Sequence, residues 1–269
     1  MSKGVRHILS LSGGKDSTAL AIYLRDRIPD LEYVFCDTEK ELPETYEYLD
    51  RVEAYLGRPI VRLKHDGRDF DHHLALRHGF LPSPRNRWCT EHLKLRPFER
   101  YVGTDTVINY VGLRADEDRE GYISHKKNIK ATYPFKEDGL VKADIIRLLY
   151  ESGLGLPGYY EWRSRSGCYF CFFQQKIEWV GLLENHPDLF AKAMEYERFS
   201  PDEAQPYTWT QGESLERLAR PERVAQIKAE CAQRIESQAN RTPNRPLIQV
   251  FGSLIEDDGD DGACLICEI

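Results

Sequence analysis

Over its first 140 residues the chain alternates short apolar runs with amphipathic stretches. Residues 5–12 read as a buried strand and 16–27 as a helix, with apolar positions recurring at helical spacing. Residues 33–37 form a second apolar run that ends on a carboxylate, Asp37. Tyr46, Leu49, Val52 and Leu56 give 43–56 a helical face, and Pro43 stands near its start, where a missing N–H does no harm. Two further strands are predicted at 60–63 and 107–112. Strands alternating with helices imply an α/β fold: a parallel, Rossmann-like sheet with helices on both faces. In such sheets ligands gather at the carboxyl ends of the strands. Residues 12–17, Asp37 and the turn 112–116 all fall at such ends.

Beyond residue 140 the pattern changes. A short helix at 143–152 leads into a connection rich in Gly, Pro and Tyr over 155–162, and helices are predicted at 176–196 and 213–238. The expected division is a nucleotide-type domain over 1–140, a mostly helical, cysteine-containing region with a C-terminal extension over 141–255, and an acidic tail over 256–269. A chain of 269 residues can bury a substantial core. No apolar run is long enough for a membrane span, and the start carries no apolar leader, so a cytoplasmic protein with no membrane association is expected.

The net charge of −7 changes this picture little, because 256–269 holds six acidic residues and no base, leaving the remainder close to neutral. Basic residues bunch at Arg85, Arg87, Lys94, Arg96 and Arg100, at Lys126, Lys127 and Lys130, and at Arg163 and Arg165. Such local patches suit a polyanion, although solvated faces look the same in sequence.

The candidate chemistry begins at Ser10-Leu11-Ser12-Gly13-Gly14-Lys15-Asp16-Ser17. Adjacent glycines between a strand and a helix allow a tight turn and a close backbone approach. The first N–H groups of the helix are unpaired and lie at its positive end, which suits phosphate. The spacing is not that of G-x-x-x-x-G-K-[ST]. It resembles the S-G-G-x-D-S loop of enzymes that cleave ATP between the α and β phosphates. That resemblance implies ATP on Ser10, Ser12, Gly13, Gly14, Lys15, Asp16, Ser17 and Asp37, Mg²⁺ near Asp16 and Asp37, and catalytic roles for Lys15, Asp16, Asp37 and Arg114.

Seven cysteines, an odd number, argue for metal or redox chemistry rather than a disulfide framework. Cys168 and Cys171 form a C-x-x-C pair, while Cys89 lies in a basic, aromatic setting that favours a thiolate. Cys36 and Cys231 read as structural. His72 and His73, beside Asp69 and Asp71, read as surface residues. Trp88 either stacks on a base or packs near the cysteines.

Taken together, these blocks resemble the PAPS-reductase-like branch of the PP-loop ATP pyrophosphatases. The matching blocks are the loop at 12–17, Asp37-Thr38 with Leu42-Pro43-Glu44-Thr45-Tyr46, Trp88-Cys89-Thr90 with Lys94 and Pro97, Gly112 to Glu117, and Gly167-Cys168 with Cys171. Within the branch, 87–97 and the later Gly-Cys-x-x-Cys resemble the DndC/SspD-type DNA phosphorothioation proteins. The resemblance implies an ATP pyrophosphatase and sulfurtransferase that adenylates a DNA backbone oxygen for replacement by sulfur. It implies a [4Fe–4S] cluster on Cys89, Cys168 and Cys171, favoured over zinc, with either three protein ligands or a fourth from Cys264 or Cys267. DNA would be held by Arg85, Arg87, Lys94 and Arg96. A cysteine desulfurase and other phosphorothioation proteins are the implied partners. The competing readings are a tRNA thiolation enzyme, the ATP-using subunit of a sulfate adenylyltransferase, and a zinc-stabilised binding module.

Overall fold

A computed structural model describes residues 4–118, 126–197 and 207–241. The predicted acidic tail, with Cys264 and Cys267, lies outside the described residues.

Five strands, β1 (Arg6–Leu11), β2 (Leu31–Asp37), β3 (Ile60–Lys64), β4 (Val107–Tyr110) and β5 (Ile129–Thr132), make one parallel sheet in the order β3-β2-β1-β4-β5. The α/β expectation therefore holds. Side-chain alternation sends Leu9, Leu11, Tyr33 and Phe35 to one face and Ile8, Val34 and Cys36 to the other. On the first face they pack with α1 (Lys15–Leu24), α2 (Pro43–Leu56), Phe135 of the short α6 (Pro134–Glu137) and α7 (Lys142–Glu151). The second face is covered by Phe98 and Val102 of α5 (Arg96–Val102).

The chain order reverses between β1 and β4, which makes the crevice at their carboxyl ends the place where such sheets bind ligands. Gly112, just past β4, packs so tightly there that a Cβ would lie 3.0 Å from the backbone carbon and oxygen of Asp16.

A second core joins α3 (Phe70–Leu76), α4 (Trp88–Thr90), α8 (Lys176–Asn185), α9 (Pro187–Glu197), α10 (Leu215–Leu218) and α11 (Pro221–Arg241). Phe70, Trp88, Phe170, Trp179 and Trp209 pack ring against ring at its centre. Packing divides the chain differently from the boundary drawn at residue 140. Ile145, Leu149 and Leu154 belong to the sheet's core, whereas Phe70 to Leu93 contribute to the helical one. The helix predicted over 176–196 is broken at His186-Pro187, since proline lacks the N–H and crowds the preceding turn. Pro221 opens α11 rather than interrupting a longer helix. β5 was not predicted, being short and half polar.

Candidate functional site

The loop between β1 and α1 is held by its own serines. Ser17 Oγ accepts the Ser12 N–H at 3.1 Å and lies 3.0 Å from Ser12 Oγ, which in turn accepts the Gly14 N–H at 3.3 Å. Gly13 has φ +74°, and a Cβ there would meet Thr45 at 2.7 Å, so both conformation and space require glycine. Ser10 is different: it is buried in β1 and its hydroxyl donates to Asn109 at 2.9 Å, so it joins strands instead of facing the loop.

Lys15, Asp16 and Arg114 form a buried charge cluster. Lys15 Nζ is 3.1 Å and Arg114 Nη1 2.9 Å from the Asp16 carboxylate. Burial pushes the Asp16 carboxyl up, but the two cations outweigh it and hold it down at about 2. Arg114 also pairs with Asp116 at 2.9 Å and Glu117 at 3.2 Å. Ringed by three carboxylates, Arg114 braces the loop after β4 against the loop after β1. This is the cation expected to be catalytic, and in the structure its neighbours are these carboxylates.

Asp37 ends β2, buried, and accepts hydrogen bonds from the Tyr46 hydroxyl (2.8 Å) and the Glu39 N–H (2.9 Å). The next residue, Thr38, has its hydroxyl 2.7 Å from Glu41 and 3.2 Å from Cys168 Sγ. Glu41 is itself buried, and its backbone bridges that of Cys168. Burial raises the Glu41 carboxyl, partly offset by Lys94 and by the Thr38 hydroxyl.

Cys89, Cys168 and Cys171 line a single cavity with Thr38, Pro82, Leu93 and Lys94. The structure thus brings together three thiols separated by up to 82 positions in sequence. Burial, followed by the neighbouring Glu41, pushes the Cys168 thiol well up, with Lys94 opposing. Among the described residues no three His, Cys, Asp or Glu side chains could hold a metal ion. Asp16 and Asp37, the residues expected near Mg²⁺, both accept from protein donors in this structure.

The basic set predicted for DNA divides. Arg85 is exposed, and Arg87 lies over the Phe173 ring at 5.0 Å, which Arg165 also approaches at 5.6 Å. Arg96 is exposed and pairs with Glu91 at 2.7 Å. Lys94 is buried and faces the cysteine cavity; the π-helical turn Glu91–Leu95 carries it inward, which no simple helical spacing anticipates. Trp88 is buried against Phe70 and donates to Phe80 O at 3.1 Å, so it packs rather than meeting a base. His73 is likewise not a surface residue: it is buried, stacked on His92 at 4.2 Å, and pushed down to about 4, first by burial and then by His92 and Arg77. Asp69 caps α3 by accepting the His72 N–H at 2.8 Å. Cys36 is buried in the sheet, as expected, and burial raises its thiol to about 12.

Comparison with known proteins finds similarity over part of the chain. Residues 6–134 match the model of the Phosphoadenosine phosphosulfate reductase domain. The matched stretch, a little under half of the chain, is similar to that domain. An uncharacterized protein, MJ0066 of Methanocaldococcus jannaschii, is 31% identical over 206 residues, covering 69% of this chain and 40% of its own length. The chain spans about half, or less, of the curated relatives it matches first. Among solved structures, the PAPS reductase of Candida auris has 14% identity and a TM-score of 0.47, covering 59% of this chain and 78% of its own. The U34-tRNA thiolase NcsA of Methanococcus maripaludis, solved with its [4Fe–4S] cluster, has 17% identity and a TM-score of 0.41, covering 73% and 72%.

Sequence reasoning missed Glu41 and the residues that cross the loop at 12–17 from the far end of the chain: Tyr159, Tyr160 and Ser166. The signal that could have found them was the pair of tyrosines in an otherwise Gly- and Pro-rich connection.

Proposed function

We propose that this protein is an ATP pyrophosphatase that adenylates an acceptor oxygen for replacement by sulfur, and that the acceptor is a DNA backbone phosphodiester. One observation carries the reading. The nucleotide-type loop follows β1, and the neighbouring β2 ends in Asp37-Thr38, whose threonine hydroxyl lies 3.2 Å from Cys168 Sγ. A phosphate site and a set of thiols thus open at the same end of one sheet.

ATP is held with its β and γ phosphates on residues 12–17, where the loop N–H groups and Lys15 offset charge. Arg114 and Asp16 hold that loop in place, and Mg²⁺ arrives with the nucleotide. An acceptor oxygen attacks the α phosphorus in line and pyrophosphate leaves, a displacement that depends on positioning and charge stabilisation. Hydrosulfide then attacks the adenylated centre of the acceptor, and AMP leaves carrying the former acceptor oxygen, so that sulfur replaces it with no change of oxidation state. The soft donor set of Cys89, Cys168 and Cys171 suits an iron–sulfur cluster. Cys89, Cys168 and Cys171 line one cavity, which supports a shared group on the three thiols. Cys89, Cys168 and Cys171 would hold such a cluster, which would supply a binding site for hydrosulfide. Arg85, Arg87 and Arg165 offer the exposed or half-exposed cations for a nucleic-acid backbone, with salt-sensitive affinity. A cysteine desulfurase and other phosphorothioation proteins are the proposed partners.

The test is pyrophosphate release from Mg·ATP with duplex DNA, tRNA or sulfate as acceptor. Release stimulated by DNA, with sulfur entering the backbone in the presence of a sulfide source, is expected. Stimulation by tRNA or sulfate alone reassigns the acceptor, and no release with any acceptor overturns the enzymatic reading.

A further inference from the structure

The segment that follows α7 crosses the loop at 12–17 and bonds it at three places. The Tyr159 hydroxyl donates to Gly13 O at 2.8 Å. Ser166 Oγ donates to Ser12 Oγ at 3.1 Å, and a Cβ on Gly14 would come within 2.8 Å of that same Ser166 oxygen. Most telling is Tyr160, whose hydroxyl oxygen accepts the backbone N–H of Lys15 at 3.1 Å. Its ring also stands 5.5 Å from the Lys15 ammonium. The main-chain donor of Lys15 is therefore taken by Tyr160, while its ammonium, paired with Asp16, stands near the Tyr160 ring.

An N–H in the first turn of a helix is a donor that a phosphate oxygen takes. A phenol oxygen is a neutral acceptor, and a phosphate oxygen is an ionised and stronger one. The two compete for the same hydrogen.

The same segment leads without interruption to the cysteine cavity. The Arg163 N–H donates to Tyr159 O at 2.9 Å. The Arg163 guanidinium, fully buried, donates to Gly167 O at 3.2 Å and to Cys168 O at 2.8 Å. Tyr159 and Tyr160 stack at 5.0 Å, so they are coupled at one end of the segment, and Arg163 ties them to Cys168 at the other.

We propose that Tyr160 is a displaceable occupant of the phosphate site, leaving the Lys15 N–H when a triphosphate takes it, and that the segment 159–168 carries this displacement to Cys168. The arrangement makes the state of the thiol cavity depend on nucleotide occupancy. This inference rests on the nucleotide reading of the loop at 12–17.

The test uses the full chain with Mg²⁺ and α,β-methylene-ATP, which cannot be cleaved between the α and β phosphates. Calorimetry compares the wild type with Tyr160→Phe, which keeps the ring and removes the competing oxygen. The variant is expected to bind the analogue tighter by about 2- to 10-fold, the worth of one neutral hydrogen bond. Equal or weaker binding overturns the proposal. Hydrogen exchange provides a second measurement that does not depend on the variant folding. In the wild type, saturating analogue should speed exchange at the Trp162 and Arg163 amides, both bonded to Tyr159 O, whereas AMP, lacking the β and γ phosphates, should not. Exchange unmoved by the analogue overturns the transmission to Cys168. A folded wild type that binds no analogue at all overturns the nucleotide reading itself, and the inference falls with it.

Discussion

The Arg114 guanidinium lies 2.9 Å from the Asp16 carboxylate, across 98 positions of sequence, with both side chains about nine-tenths buried. This pair joins the loop after β1 to the loop after β4 at the switch point of the sheet. Removing Arg114 takes one of two cations from Asp16 and the guanidinium from Glu117, both buried, and breaking a buried pair costs about 3–5 kcal/mol. Arg114→Ala is therefore expected to lower unfolding free energy by an amount in that range, measured by urea denaturation. A loss below about 1 kcal/mol, typical of exposed pairs, would show that the brace is not structural.

Lys15→Ala tests the phosphate loop directly. Lys15 lies in the first turn of α1, and its loss should reduce pyrophosphate release by about 100-fold or more, the usual effect of deleting one stabilising donor. Circular dichroism should stay unchanged. Unaltered release would remove the loop from the mechanism.

Gly112→Ala probes the crevice without altering charge. The added methyl would press at 3.0 Å on the backbone of Asp16, which has no flexible end to yield. Overpacking of this kind costs about 1–3 kcal/mol. A lowered Tm together with reduced pyrophosphate release is expected; a Tm equal to that of the wild type would mean the two loops separate easily.

Protein purified without oxygen should be brown and carry iron and sulfide, as thiolate-bound clusters do. Cys89→Ser, Cys168→Ser or Cys171→Ser should each bleach it, while Cys231→Ser, on α11 and away from the cavity, should not. Colourless protein containing zinc would overturn the cluster.

Acid should loosen the helical core through Glu213. This carboxylate accepts from Arg223 and Lys176, both at 2.7 Å, and those hydrogen bonds, Arg223 first, outweigh burial and hold it at about 2 against an ordinary 4.5. A depressed carboxyl stabilises fully above its unfolded value and loses that contribution as pH falls from 4.5 towards 2. Glu213→Gln should be less stable than the wild type at pH 7, with the difference shrinking towards pH 2 in urea titrations. A gap independent of pH would show that Glu213 acts only by packing.

Local rules carried the sequence a long way. Alternating apolar runs placed four of the five strands and α2, because a strand buried on both faces and an amphipathic helix each leave a periodic trace. Glycine pairs and a helix start marked the loop at 12–17, since the conformation itself demands those residues. The cysteines were legible as candidates, because an odd count and a C-x-x-C pair point to metal or redox chemistry.

Tertiary structure decided what no periodicity encodes. Arg114 became a brace only when three carboxylates closed around it, and Lys94 turned inward on a π-turn that the sequence does not announce. Cys89 met Cys168 and Cys171 because the segment 70–93 packs into the helical core, away from its neighbours in sequence. Tyr160 reached Lys15 across 145 positions. Sequence by itself determined the elements and the chemical types, which depend on neighbours along the chain. Which of those groups face one another depends on burial and register between distant segments, and the packed structure alone fixes that.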